Sequence, residues 1–316
     1  MKQPTPPVAV TLNTADGYPI AALRYAPEGA PRGHIVVAGA TGVPQGFYRR
    51  FADFARGQGY AVMTLDYRGI GLSRPATLKG FRMDYLDWGR QDLAAAVEAM
   101  GVPGLPLYVV GHSYGGHAFG LLPNHHKVAA LYTFATGAGW HGWMPLAERL
   151  RVLLLWRVVG PLIVRAKGYM AWNWMGMGED LPVDVYHQWK RWCRYPRYFF
   201  GDPTMAHLAA GFDAVRSPIM ACNALDDLWA RPKSRDAFMA GYRNVAWQAT
   251  DIDPRAAGMG PIGHMGYFKA SCSPLWQGAL DWLGQHGQVV AAAAEVTAAE
   301  VTAAGVPAEA AAADVG

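Results

Sequence analysis

Cysteine is scarce in this chain. Cys193, Cys222 and Cys272 are the only three in 316 residues, and they are widely spaced with no CxxC pair. An odd number at such spacing argues against a disulfide framework and for a reducing compartment. Charge is also thin: Asp, Glu, Lys and Arg make up 16% of the chain, and the formal net charge of +4 is spread along it. That predicts a mildly basic solvated surface, not a nucleic-acid footprint. No long apolar run is present. The longest, "VLLLWRVVGPLIV", is interrupted by Arg157 and by Gly160-Pro161 and falls short of a membrane span. The N-terminal "MKQPTPPVAV" is proline-rich and lacks the apolar stretch of a signal peptide, so a soluble cytoplasmic protein is expected. HExxH, HxxEH and a carboxylate cluster beside a histidine pair are all missing, so neither a metal nor a cofactor is expected.

What is abundant is apolar material, 52% of the residues, ample for a large core. In the N-terminal half it is arranged as alternating strands and helices. "VAVTLNT" and "IAALRYAP" read as a hairpin closed at Asp16-Gly17. "HIVVAGA", "YAVMTLDYRG", "LPLYVVGHS" and "VAALYTFAT" are short, nearly continuous apolar runs, as strands buried on both faces require. Helical spacing separates them, in "FYRRFADFARGQG", "MDYLDWGRQDLAAAVEAMG" and "YGGHAFGLL". The alternation predicts an α/β fold, a mostly parallel sheet with helices on both faces, whose sites lie at the carboxyl ends of the strands.

From about 137 to 203 the alternation stops. Seven of the twelve tryptophans fall in this segment, with many arginines and no convincing strand, so it reads as a helical insertion. Strand and helix then resume through "SPIMACNAL", "SRDAFMAGY" and "VAWQATDID", and "KASCSPLWQGALDWLGQHG" is the last helix. One domain over 1–287 is expected, followed by a low-complexity tail over 288–316 that is expected to be disordered or loosely helical, because its Ala, Val, Thr and Glu offer no face worth burying; an interaction helix is the alternative.

The chemistry centres on "GHSYGG" at 111–116. Serine hydroxyls are poor nucleophiles at neutral pH and need an adjacent base, itself oriented by a third group. Ser113 follows a strand and precedes a helix, with Gly111, Gly115 and Gly116 around it, the context of a strained strand–turn–helix elbow. Among ten histidines, His264 is the candidate base, because "IGHMGYF" is a glycine-flanked loop between the last strand and the last helix. His112 precedes the serine, is expected to point away from it and reads as structural. His34, His117, His187 and His286 read as surface or packing residues. The acid is sought at the end of "SPIMACNALDDLWARP", where Asp226 and Asp227 are both candidates; Asp251 and Asp253 follow the wrong strand.

With Ser113, this acid pair and His264 in that order, the chain resembles the α/β-hydrolases from about Val8 to Gly287. "DYRGIGLSRP" is similar to that family's D-x-R-G-x-G-x-S turn, and the 137–203 insertion sits where the family carries its cap. "GEDLP", "QWKRWC", "ATGVPQGFYRRFA" and "GHMGYF" resemble a bacterial group of predicted serine hydrolases. The resemblance implies a triad of Ser113, His264 and, by position, Asp227 in preference to Asp226. It also implies an oxyanion hole made by the backbone N–H of Tyr114 and that of Ala40 or Thr41. One departure stands out: many members carry His-Gly after the third strand, where this chain has "VVAGATG". The implied activity is hydrolysis of small-molecule carboxylic esters through an acyl-enzyme. Thioester or amide cleavage, acyl transfer and a non-catalytic binding role are the alternatives. The cap tryptophans Trp140, Trp143, Trp172 and Trp174 are expected to wall an apolar acyl or aryl pocket.

Overall fold

A computed structural model describes residues 5–287. The tail at 288–316 lies outside the described residues. Eight strands form one sheet: β1 (Val8–Asn13), β2 (Pro19–Tyr25), β3 (His34–Ala38), β4 (Ala61–Leu65), β5 (Leu107–His112), β6 (Ala130–Phe134), β7 (Ile219–Ala224) and β8 (Gln248–Ile252). Their spatial order is β1-β2-β4-β3-β5-β6-β7-β8. β2 runs antiparallel to both β1 and β4, and every other pair is parallel. Each continuous apolar run in β3 to β6 is buried along its whole length, as double-sided coverage demands.

The pleat sorts these residues between two cores. Ile35, Val37 and Val110 pack with Phe51 of α1 (Arg49–Gly57) and with Trp276 and Leu283 of the last helix, at 273–287. Val36 and Val109 face the opposite core, which includes Val97 of α2 (Ala94–Met100) and Ala118 of α3 (Tyr114–Ala118). The expected long helix before β5 is α-helical only from Ala94 on, because Trp88–Leu93 form a wider π turn.

The segment at 137–203 is helical, with α4 (Leu146–Leu154), a π turn at Leu155–Val159, α5 (Gly160–Lys167) and α6 (Val183–Trp192). Gly160-Pro161, which interrupts the apolar run in the sequence, does not interrupt the helix. Helical backbone continues from 146 to 167, since Pro161 stands in the first turn after the π segment. The lone extended contact in this region is an antiparallel bridge between Met170 and Leu181. Fully buried Val185, Tyr186 and Trp192 belong to the same core as α2 and α3, so the insertion is seated on the main body. α7 (Ala209–Ala214) leads to β7, and α8 (Pro232–Met239) follows it. The D-x-R-G-like turn is a strut. Asp66 accepts the Gln45 and Leu72 N–H groups, and buried Arg68 pairs with buried Asp92 at 2.7 Å.

Candidate active site

Ser113 lies between β5 and α3 with φ 52° and ψ −107°, a backbone conformation that non-glycine residues rarely adopt. Its neighbours must be glycine for steric reasons. A Cβ on Gly111 would meet the Gly116 nitrogen at 2.7 Å, and one on Gly115 would collide with the Ala38 carbonyl oxygen. The strained turn is held from outside: the Ser113 N–H donates to Phe134 O at 2.9 Å, and its own carbonyl accepts from Thr136 Oγ1 at 3.0 Å. The result is a side chain held at the carboxyl edge of the sheet.

The loop after β8 brings His264 to that edge. Its Nε2 is 3.0 Å from Ser113 Oγ, and its Nδ1 is 2.9 Å from Asp227 Oδ2. A carboxylate can only accept, so the proton sits on Nδ1 and Nε2 is left to accept from the serine hydroxyl. Asp227, fully buried after β7, receives two more hydrogen bonds on Oδ1, from the Trp229 N–H at 2.8 Å and the Ala230 N–H at 3.0 Å. Burial favours its neutral form, but the adjacent imidazole and these hydrogen bonds outweigh that and hold its pKa below the usual carboxylate value. Burial likewise disfavours a charged His264. The Asp227 charge and hydrogen bond prevail there, and the His264 pKa lies above its ordinary value.

Asp226 has a different task. Its two oxygens accept the Ile262 and Gly263 N–H groups at 2.9 and 3.0 Å, which pins the loop that carries His264. His112 is completely buried and directed away from the serine hydroxyl. Its Nε2–H donates to the His264 carbonyl at 2.9 Å, and burial pushes its pKa down to about 3. His117 is also buried, donating from Nε2 to Gly137 O at 2.8 Å.

Ala40 and Thr41 part company here. The Ala40 N–H is already used, donating to Tyr48 Oη at 2.7 Å, which removes Ala40 as a free donor. The N–H groups of Thr41 and Tyr114 have no hydrogen-bond partner among the described residues. Tyr48 is a site residue the sequence reading missed, since nothing in "GFYRR" distinguishes a tyrosine that braces the site from one that fills a core.

A cleft of about 170 Å³ opens over Ser113 and His264, walled by Trp172, Trp189, Trp229, Met177 and Met265. Of the four tryptophans expected there, only Trp172 contributes. Trp140 and Trp143 pack edge-to-face on each other with centroids 5.2 Å apart, and the Trp143 indole N–H donates to Pro196 O at 3.0 Å. Trp174 is 82% exposed. The tryptophans that do line the cleft come from α6 (Trp189) and from the turn after Asp227 (Trp229). The latter lies outside the insertion, where composition alone drew no attention. Among the described residues no acidic side chain lines the cleft itself, and Glu148 borders the groove beside it. Among the described residues no group of three or more His, Cys, Asp or Glu side chains is arranged to hold a metal ion, and no helix is long and apolar enough to cross a membrane.

The family model described as serine aminopeptidase, S33, matches residues 29–179, the stretch that includes Ser113. No curated protein sequence matches the chain. Solved structures of the same architecture are numerous. A soluble variant of monoglyceride lipase from Saccharomyces cerevisiae, bound to a substrate analogue, is 16% identical with a TM-score of 0.65, covering 90% of this chain and 97% of that one. Alpha/beta hydrolase domain-containing protein 10 from mouse is 15% identical with a TM-score of 0.56, covering 88% and 99%. The thioesterase domain from the curacin biosynthetic pathway is 13% identical with a TM-score of 0.54, covering 87% and 100%. Such identities speak to fold alone: with this eight-stranded order and the serine on its strained turn after β5, the chain has the α/β-hydrolase fold.

Proposed function

We propose that this protein is a serine hydrolase that cleaves carboxylic esters through an acyl-enzyme, with Ser113 as nucleophile, His264 as general base and Asp227 as the orienting acid. The observation that carries the reading is the continuous contact from Ser113 Oγ through His264 to a fully buried Asp227. Ser113 Oγ attacks the substrate carbonyl carbon as its proton passes to His264 Nε2. The resulting imidazolium is stabilised by Asp227, and the oxyanion is met by the Thr41 and Tyr114 N–H groups. His264 then protonates the departing alkoxide, and water deprotonated by the same Nε2 releases the acid.

An ester with an apolar acyl or aryl group suits the tryptophan and methionine walls. The segment at 137–203 serves as the cap that closes the pocket, on the hydrolase domain of 1–287. Thioester cleavage is the second reading, because the same triad and apolar walls would serve it and a thioesterase domain shares the fold. The test is labelling with a fluorophosphonate followed by turnover on ester, thioester and amide panels. One serine should react, and Ser113→Ala should abolish both labelling and turnover. Label retained in that variant would sink the assignment.

A further inference from the structure

The helix from 146 to 167 presents an apolar stripe to solvent. Leu146, Leu150, Leu154, Val158 and Leu162 recur every four residues and are between 47% and 69% exposed. In a regular α-helix a four-residue step overshoots the 3.6-residue turn, and such a row would wind off the face. The wider π turn at Leu155–Val159 takes up part of that excess and keeps the row together. The opposite side of the same helix is already satisfied, with Val152, Trp156 and Ile163 buried in the core. A stripe this long is more than the scattered apolar exposure of an ordinary surface.

Its charge surroundings are one-sided. Arg149, Arg151, Arg157, Arg165 and Lys167 are all exposed along the same helix, whereas its single acid, Glu148, is turned inward to the Trp229 indole N–H at 2.9 Å. Arg149, Arg157, Arg165 and Lys167 make no ion pair among the described residues. The stripe also adjoins the active-site cleft. Leu154, Leu155 and Val159 border a groove of about 330 Å³ that shares Met177 and Trp229 with the cleft. Trp174, 82% exposed, projects from the loop that supplies Met175 and Met177 to this groove.

We infer that the 146–167 helix is an interfacial docking surface for an anionic phospholipid bilayer, on which the leucine row enters the acyl boundary and the flanking cations meet the headgroups. An amphipathic helix with apolar residues on one side and Arg/Lys beside them lies in that boundary without spanning it, and Trp is the residue suited to the headgroup level. A second copy of the chain fits the face less well, since a two-fold pairing would set two arginine-rich borders against each other with no free carboxylate to answer them. Docked in this way, the groove and the cleft would open toward the lipid, so an amphiphile could reach Ser113 by its apolar tail. That last step rests on the function proposed above; the docking itself does not.

The full chain carrying Ser113→Ala separates the two, because it binds without turning over lipid. It should co-sediment with phosphatidylglycerol vesicles, much less with phosphatidylcholine vesicles, and progressively less as salt is raised. The double variant Leu150→Ser/Val158→Ser should lose at least about tenfold in partitioning. In the Ser113-bearing chain that double variant should keep its Tm and its kcat/KM on a short water-soluble ester. Arg149→Glu/Arg157→Glu should abolish the preference for phosphatidylglycerol. Vesicle binding indifferent to both variants overturns the inference. So does absence of binding, or a dimer in light scattering that Leu150→Ser/Val158→Ser dissociates.

Discussion

The Tyr48 hydroxyl and His112 Nδ1 are 3.0 Å apart, and together they tie two parts of the site that are far apart in sequence. His112 donates from Nε2, so its Nδ1 accepts from Tyr48, whose oxygen in turn accepts the Ala40 N–H. One relay therefore runs from the turn that holds Thr41 to the backbone of His264. It also explains why His112 stays neutral: both ring nitrogens are already matched, and burial leaves no water for a second proton.

Tyr48→Phe should leave the Ala40 N–H and His112 Nδ1 buried without partners, at a cost of about 1–3 kcal/mol for each unsatisfied group. Thermal melts should show a clear fall in Tm. Steady-state kinetics should show a lower kcat with little change in KM, because the reacting geometry is disturbed and the cleft walls are not. A tyrosine that merely fills space would change neither.

Asp227→Asn should reduce kcat by about 10⁴-fold, the loss seen when a serine protease triad loses its aspartate. Asp226→Asn should cost far less activity, acting through the loop of Ile262 and Gly263, and should appear mainly as lowered stability. Parallel kcat and Tm measurements distinguish the two carboxylates, and the opposite order of severity would exchange their roles.

The pH profile follows from the His264 shift. A general base works when neutral, so kcat/KM should rise with pH through the His264 pKa and reach a plateau above it. Because Asp227 raises that pKa, the midpoint should lie above 6.5, the ordinary histidine value. In Asp227→Asn the burial penalty remains without the carboxylate, and the midpoint of the residual activity should move down. A profile flat through neutrality in the unmodified protein would remove His264 as the base.

Trp189→Ala should widen the cleft beside Ser113 and shift the preferred acyl length upward, read as kcat/KM over a series of ester chain lengths. Trp174→Ala, at a solvent-exposed position, should leave that series unchanged. Trp192→Ala should instead fail on stability, since truncating a buried tryptophan costs about 3–5 kcal/mol.

Local order was readable in the chain because it is written in local terms. Buried strands announce themselves as apolar runs, and the elbow at Ser113 is visible because only glycine fits against the Ala38 carbonyl and the Gly116 nitrogen. The order of Ser113, the acid pair and His264 follows from strand ends alternating with loops. The tryptophans were misread for a related reason. Composition marks a segment as aromatic but does not say which way each indole turns, so Trp140, Trp143 and Trp174 looked equivalent to Trp172.

What the sequence determined by itself is therefore the layered α/β architecture, the strained serine turn and the chemical types that accompany it, since each depends on residues near one another in the chain. Only the tertiary structure decided that Asp227 faces His264 while Asp226 braces the next loop, as the two differ by one step along the same turn. Only the folded chain likewise shows that the Tyr48 hydroxyl takes the Ala40 N–H, and that Trp229, from outside the 137–203 segment, walls the cleft. These are contacts between distant segments. Their geometry arises only when the sheet brings its strand ends to one edge, and no local pattern encodes which of two neighbouring groups will arrive there.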